Sequence, residues 1–370
     1  MDFLNPRLAG RRVGVLLHEG LRGPRGKTGL AFLRYSAAEV VAVIDRDAAG
    51  ASLVALTGID RPVPVVASAQ EAIALGVDTL LIGIAPSGGI LPAEWETELK
   101  EALRMGVSLV NGLHRPLSQA PDWVACQQPG QWIWDVRVEP TGLTIGSGLA
   151  RLLPGGRVLA VGTDMAIGKM STTLELCRAA HRQGRRAHFV GTGQAGLMIA
   201  GQGVALDAVR VDFAAGAVER ALLQVAQDVG PEGLGDQDLL AIEGQGSLLH
   251  PGSTATLPLL RGSQPTHLIL VHRAGQVHLR DLPHCPIPPL PDVVALYEAV
   301  ARAAGTYAAA PVAAIALNTA HLSDTEARAE CDRVAALTDR PCTDPVRYGA
   351  ELLLTSIGVD SFDQQTQSAG

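Results

Sequence analysis

Lysine is nearly missing from this chain. Only Lys27, Lys100 and Lys169 stand among its 30 basic residues, the rest being arginine. Arg, Ala, Gly and Pro are abundant in their place, and a lysine kept under that bias either survives by chance or marks a position that needs an ammonium. Positive charge is not in excess either: 37 acidic residues give a net charge of −7, which argues against nucleic acid or an anionic membrane as the main partner. The five cysteines (Cys126, Cys177, Cys285, Cys331, Cys342) are odd in number and form no CxxC pair. That excludes a disulfide framework and a zinc ribbon. No apolar core of signal-peptide length opens the chain, and no run approaches the roughly 18 apolar residues of a membrane span. A cytoplasmic protein is expected.

What is present is a large apolar inventory. Hydrophobic residues make up 47% of 370 and charged ones 18%, enough to bury substantial cores and too much for a disordered chain. The length implies two domains. In the first half, β-rich runs at residues 13–17, 40–44, 79–84 and 108–110 alternate with helical patterns at 29–34, 69–75 and 92–105. Such alternation predicts parallel βαβ units, and strands this uniformly apolar predict cover on both faces. Ligands of open α/β sheets sit at the carboxyl ends of the strands. Those positions hold His18-Glu19-Gly20, Asp45, the 85–89 turn with Ser87, Gly88 and Gly89, and Asn111 to His114. Asp45 stands where a dinucleotide fold places its ribose acid, yet no GxGxxG follows the first strand, which speaks against a nicotinamide cofactor. Gly20, Gly26, Lys27 and Thr28 imitate a phosphate loop, with a flexible basic loop as the plainer reading.

The character of the chain changes between residues 132 and 156, and the expected division is 1–145 and 146–370. The second half opens with an apolar strand at 158–161. It runs into Gly162-Thr163-Asp164-Met165-Ala166-Ile167-Gly168-Lys169-Met170-Ser171-Thr172 and then a helical stretch to about Arg182. Strand, Gly-rich loop and helix are the parts of a P-loop. Its glycines let backbone N–H groups turn around an anion, the helix N-terminus adds partial positive charge, and Lys169 neutralises phosphate. Six positions separate Gly162 from Gly168, one more than usual. Met170 replaces the Ser or Thr that normally holds Mg²⁺, so phosphoryl transfer is in question. Ser171 could substitute. Otherwise the loop holds a phosphate that is never transferred, such as the diphosphate of coenzyme A.

Four strand ends follow. The strand at 187–190 leads to Thr192-Gly193-Gln194, and Asp207 and Asp212 come after it. The strand at 239–242 ends in Glu243, the Walker-B position, followed by Gly244-Gln245-Gly246-Ser247 and His250. A strand at 268–271 ends in His272-Arg273. The last, at 312–317, ends in Asn318, whose amide could read a nucleobase edge or cap the next helix. Residues 283–291 carry five prolines and read as a rigid connector.

The longer loop, with Thr-Asp after its first glycine, resembles that of dethiobiotin synthetase and its relatives. Taken together, Arg34-Tyr35 through Val43-Ile44-Asp45, Gly162-Thr163-Asp164 with Gly168-Lys169, Thr192-Gly193-Gln194, Asp212-Phe213, Glu243 to Ser247 with His250-Pro251, and Asn318-Thr319 resemble a two-domain family. That family joins a Rossmann-like N-terminal domain to a P-loop NTPase-like C-terminal domain, both α/β with parallel sheets. A characterised branch of it is D-glutamate N-acetyltransferase. Ala195 departs from the pattern, where Thr is expected.

The resemblance implies acetyl transfer from acetyl-CoA to the amine of an acidic amino acid, D-glutamate. Gly162, Thr163, Asp164, Ala166, Ile167, Gly168, Lys169, Met170, Ser171, Thr172 and Asn318 are then the expected cofactor-binding residues. Glu243, His250 and Asp212 are the candidates for the base that deprotonates the amine. Gln194, Gln245, Ser247 and Arg273 are expected to bind the acceptor, with Arg210 and Arg347 as further cations for its carboxylates. The alternative is an ATP-dependent ligase or kinase that activates a carboxylate, with Mg²⁺ on Ser171, Asp212 and Glu243. No metal is otherwise called for. The expected partners are a small amino-acid substrate and further copies of the chain, because a high apolar fraction with few charges suggests buried subunit surface.

Overall fold

Short apolar runs alternating with amphipathic ones resolve into two parallel sheets. The computed structural model describes residues 3–86 and 90–358. One unit comprises residues 3–139 with 194–201, and the other residues 140–193 with 202–358.

In the first unit six strands line up in the order β3-β2-β1-β4-β5-β6. They are β1 (Arg12–Leu16), β2 (Glu39–Ile44), β3 (Val65–Val66), β4 (Thr79–Ile82), β5 (Ser108–Asn111) and β6 (Ile133–Asp135). Every pairing is parallel. Helices α1 (Lys27–Tyr35), α2 (Leu53–Thr57), α3 (Ala69–Ala74), α4 (Ala93–Arg104) and α5 (Pro121–Val124) supply the crossovers. The order reverses between β1 and β4, and such a switch point opens a crevice at the strand ends. There Asp45 is buried, and its carboxylate accepts N–H bonds from Leu21 and Asp47, each at 3.2 Å. The acid in the ribose position therefore holds its own loop. Beside it, His18 Nε2 lies 2.9 Å from Glu98, while Nδ1 accepts the Arg46 N–H. Ser87, Gly88 and Gly89 lie outside the described residues.

The second unit orders its sheet β14-β13-β10-β7-β9-β8. These strands are β7 (Gly156–Gly162), β8 (Ala187–Val190), β9 (Leu239–Ile242), β10 (His267–Arg273), β13 (Val312–Asn318) and β14 (Cys342–Thr343). They too are all parallel. All seven residues of β7 are buried, as the uniform hydrophobicity of a central parallel strand requires. Helices α6 (Lys169–Arg182), α8 (Ala214–Asp228), α9 (Thr256–Ser263), α10 (Leu290–Arg302), α11 (Asp324–Thr338), α12 (Pro345–Tyr348) and α13 (Glu351–Ser356) cover its faces. Ser323 and Glu326 close a reciprocal capping box at the start of α11.

The proline-rich connector is corrected by the structure. Leu282–Pro286 is strand β12, paired antiparallel with β11 (His278–Leu279), and α10 begins at Leu290. A two-stranded ribbon has only edges, where a missing N–H is tolerated, and Pro291 falls in the first helical turn, where that N–H has no partner anyway. The sequence also gave no sign of where α7 (Gln194–Ala200) belongs. Although it follows β8 in the chain, α7 is part of the first unit, where the Asn5 amide donates to Leu197 O at 3.1 Å and Met198 O at 3.0 Å. Among the described residues no helix is long and apolar enough to cross a membrane.

Candidate functional site

The phosphate-type loop leaves the carboxyl end of β7 and enters α6 at Lys169. Two backbone positions are left-handed, Ala166 at φ 54° and Gly168 at φ 120°. The second is a conformation that residues with a Cβ rarely adopt, so Gly168 is required where the loop turns into the helix. The loop is fastened from outside. Thr163 N–H bonds to Val271 O at 3.1 Å, and Thr163 Oγ1 lies 2.9 Å from His272 Nδ1. Burial drives the His272 pKa down to about 4, so its imidazole is neutral near pH 7 and serves to hold Thr163. Asp164 is fully buried, and its carboxylate accepts bonds from Met165 N, Gln276 Nε2 and Arg280 N, each at 2.6 Å. The Asn318 amide donates to Ile167 O at 2.9 Å, which places that side chain on the loop itself.

Lys169 is 6% exposed, and among the described residues its Nζ donates to a single partner, Asp164 O, at 2.6 Å. Burial pushes its pKa down to about 8, against the opposing charges of Asp164 and Glu243. A desolvated ammonium with a carbonyl but no hydrogen-bonded carboxylate is a site that an anion completes.

Glu243, at the end of β9 beside β7, is 5% exposed. Its Oε2 accepts the N–H groups of Thr192 at 2.8 Å and Gly193 at 3.0 Å, and Thr192 Oγ1 donates to Glu243 O at 2.8 Å. Among the described residues Oε1 accepts no hydrogen bond. Burial raises the carboxyl above its ordinary pKa despite those two N–H donors and the Lys169 charge. A carboxylate held by one oxygen, with its basicity raised, can take a proton.

The downstream turn is internally bonded. Thr256 Oγ1 donates to Gln245 O at 2.9 Å, Leu249 N–H to Ser247 Oγ at 3.1 Å, and Gly252 N–H to His250 Nδ1 at 3.0 Å. Tyr297 ties this turn to the loop: its hydroxyl donates to Gly162 O at 2.7 Å and accepts the Leu248 N–H at 3.1 Å. Sequence reading passed over Tyr297, and its scarcity, as one of four tyrosines, was the available signal.

The loop, Lys169, Glu243, Thr192, His272 and Asn318 are thus brought together. Of the other expected residues, Asp212 is exposed in the short turn at 211–213, Arg273 is exposed as the last residue of β10, and Gln194 opens α7, which belongs to the first unit. Ser171 and Met170 are half-buried in the first turn of α6. Arg347 is engaged with the backbone, donating to Leu322 O at 2.8 Å. Among the described residues no group of three or more His, Cys, Asp or Glu side chains is placed to hold a metal ion.

Comparison with known proteins agrees with this architecture. Residues 46–139 match a model described as a domain of unknown function, DUF1611_N, Rossmann-like domain, and residues 144–354 match its DUF1611_C P-loop domain. A protein of Tritonibacter scottomollicae named D-glutamate N-acetyltransferase is 38% identical over 291 residues, covering 78% of this chain and 83% of its own length. A Pseudoalteromonas protein of the same name is 35% identical over 289 residues, with the same coverage. The crystal structure of a DUF1611 family protein from Anabaena variabilis superposes with a TM-score of 0.89 at 58% identity, covering 94% of this chain and 99% of that one. The chain therefore belongs to the DUF1611 family, with a Rossmann-like N-terminal domain and a P-loop C-terminal domain.

Proposed function

We propose that this protein is an N-acetyltransferase that moves an acetyl group from acetyl-CoA to the amine of D-glutamate. The observation that carries the reading is the buried ammonium of Lys169, held by one backbone carbonyl in a loop where Met170 replaces the usual metal-binding hydroxyl. A cofactor phosphate fits that site as a charge. Relatives of the same name, 35% and 38% identical over 78% of the chain, supply the acceptor.

Lys169 and the N–H groups at the start of α6 would hold the phosphates, with Ala166 and Gly168 setting the turn. Acetyl-CoA supplies the acyl group as a thioester when bound. The acceptor arrives as an ammonium and must lose a proton before its nitrogen can attack. Glu243 is the group for that proton: buried, anchored through Oε2, and raised in pKa. His272, neutral and bonded to Thr163, positions the loop.

An ATP-dependent carboxylate-activating enzyme is the second reading, favoured by the acid that ends β9 directly beside β7. One experiment separates the two. Purified protein with acetyl-CoA and D-glutamate, and no nucleotide, is expected to release free thiol. Strict ATP dependence with ADP formation reverses the ranking.

A further inference from the structure

The second unit carries a cavity at the opposite end of its sheet from the phosphate loop. It has a volume of about 740 Å³, within the range of small-molecule sites. Arg157, near the amino end of β7, and Thr266, just before β10, line it together with Leu149, Leu152, Ala301 and Tyr307. The phosphate loop begins at Gly162, so the four buried strand residues 158–161 separate it from Arg157.

Arg157 is the unusual member. It is 7% exposed and forms no ion pair with any described residue. Its Nε donates to Gln264 O at 3.1 Å and its Nη1 to Leu153 O at 2.8 Å. Nη2 donates to no described residue, so both of its protons, and one on Nη1, remain available on the outer edge of the guanidinium. Burial has already brought the pKa of this group down to about 10, a measure of how poorly its charge is solvated. Arg151 adds a second cation to the lining and Asp236 a single acid, both on exposed residues.

The walls are built rather than incidental. Buried Glu219 accepts N–H bonds from Ser147 at 2.7 Å and Ala150 at 3.4 Å, another from Leu149, and the Ser147 hydroxyl at 2.8 Å. One carboxylate thereby fixes residues 147–150. Three of the non-glycine residues with left-handed backbone, Gln264, Ala303 and Ala304, line or flank the same space.

We infer that this cavity binds a small organic carboxylate with an apolar body, its carboxylate forked on the free edge of Arg157 and its body against Leu149, Leu152 and Tyr307. A planar guanidinium with two adjacent donors matches a carboxylate bidentately, and Leu149, Leu152 and Tyr307 in the same lining offer an organic body contacts that an inorganic anion cannot use. The site is independent of the proposed acetyl transfer.

The test uses the full chain and 4-bromobenzoate, whose bromine gives an anomalous signal in soaked crystals. Calorimetry is expected to show binding that survives Lys169→Ala, with the bromine peak inside the cavity. Arg157→Gln should weaken that binding at least tenfold. Should that variant fail to fold, Ala308→Trp, at an exposed lining position, is expected to produce the same loss by filling the space. Benzyl alcohol, which lacks the charge, should bind at least tenfold more weakly than the acid. The inference is overturned by the absence of binding up to about 10 mM, by affinity that Ala308→Trp leaves unchanged, by benzyl alcohol binding equally well, or by bromine density only elsewhere.

Discussion

Lys169 concentrates the electrostatics of the loop in one atom. Its pKa in the folded chain, about 8, lies below the ordinary 10.5 because burial disfavours the charged form. Between those values the unfolded chain holds a proton that the folded chain has released, so stability contributed by this group rises as pH climbs from about 8 to about 10.5. Below that window the folded protein bears the full cost of a buried charge, on the order of 3 kcal/mol. Lys169→Met removes the titrating group. The stability of the wild type relative to this variant, from urea unfolding, should therefore increase across the window. A difference that stays flat with pH would mean the ammonium is solvated after all. The same reasoning explains why an anion belongs beside it: a phosphate restores the pKa that burial depresses, and the free energy of that restoration appears as affinity.

At the scale of elements, α8 crosses the segment at 144–146 unusually closely. A Cβ built on Gly216 would sit 1.9 Å from Thr144 O. Two effects of Gly216→Ala oppose each other. Alanine is the better helix former by about 1 kcal/mol. Forcing a methyl against a backbone carbonyl costs roughly 1–3 kcal/mol or more, since neither the helix nor the segment can yield cheaply. The clash should win, and the variant should unfold at lower urea concentration than the wild type. A gain in stability would show that α8 has room there. Close approaches of this kind were illegible in the sequence, where Gly216 is one of 41 glycines. Long elements were legible because their pattern is internal: β1, β2, β4, β5, β7, β9, β10 and β13 bury nearly every residue and stand out as apolar runs. Strands β3, β6 and β14 have two or three residues each, too few to show a period, and β12 hides among prolines. In the site, Lys169 and Glu243 were found because each terminates or follows a buried strand. Tyr297 was missed because its role depends on α10 meeting two loops, a long-range fact no local pattern records.

For the whole molecule, the consequential feature is that the chain does not divide in two at one point. Helix α7 is encoded between β8 and α8 of the second unit but packs in the first, where Met198 and Ile199 are fully buried and the Asn5 amide bonds to its backbone. A Cβ on Gly112 would come within 2.5 Å of Met198 Cε, so β5 ends directly against this helix. A fragment ending at residue 139 contains all six strands of the first sheet but lacks these side chains. Removing one buried Met or Ile side chain typically costs 2–5 kcal/mol, and whole domains retain only about 5–15 kcal/mol in total. The loss of α7 thus takes away a large fraction of the unit's stability and leaves an apolar face in water. Fragment 1–139 should consequently unfold at a much lower midpoint than the intact chain and bind a hydrophobic dye. Fusing residues 194–201 to it through a flexible linker should recover part of that midpoint. If the bare fragment matched the intact chain, the first unit would be complete without α7, and the interleaving of the two units would carry no energetic weight.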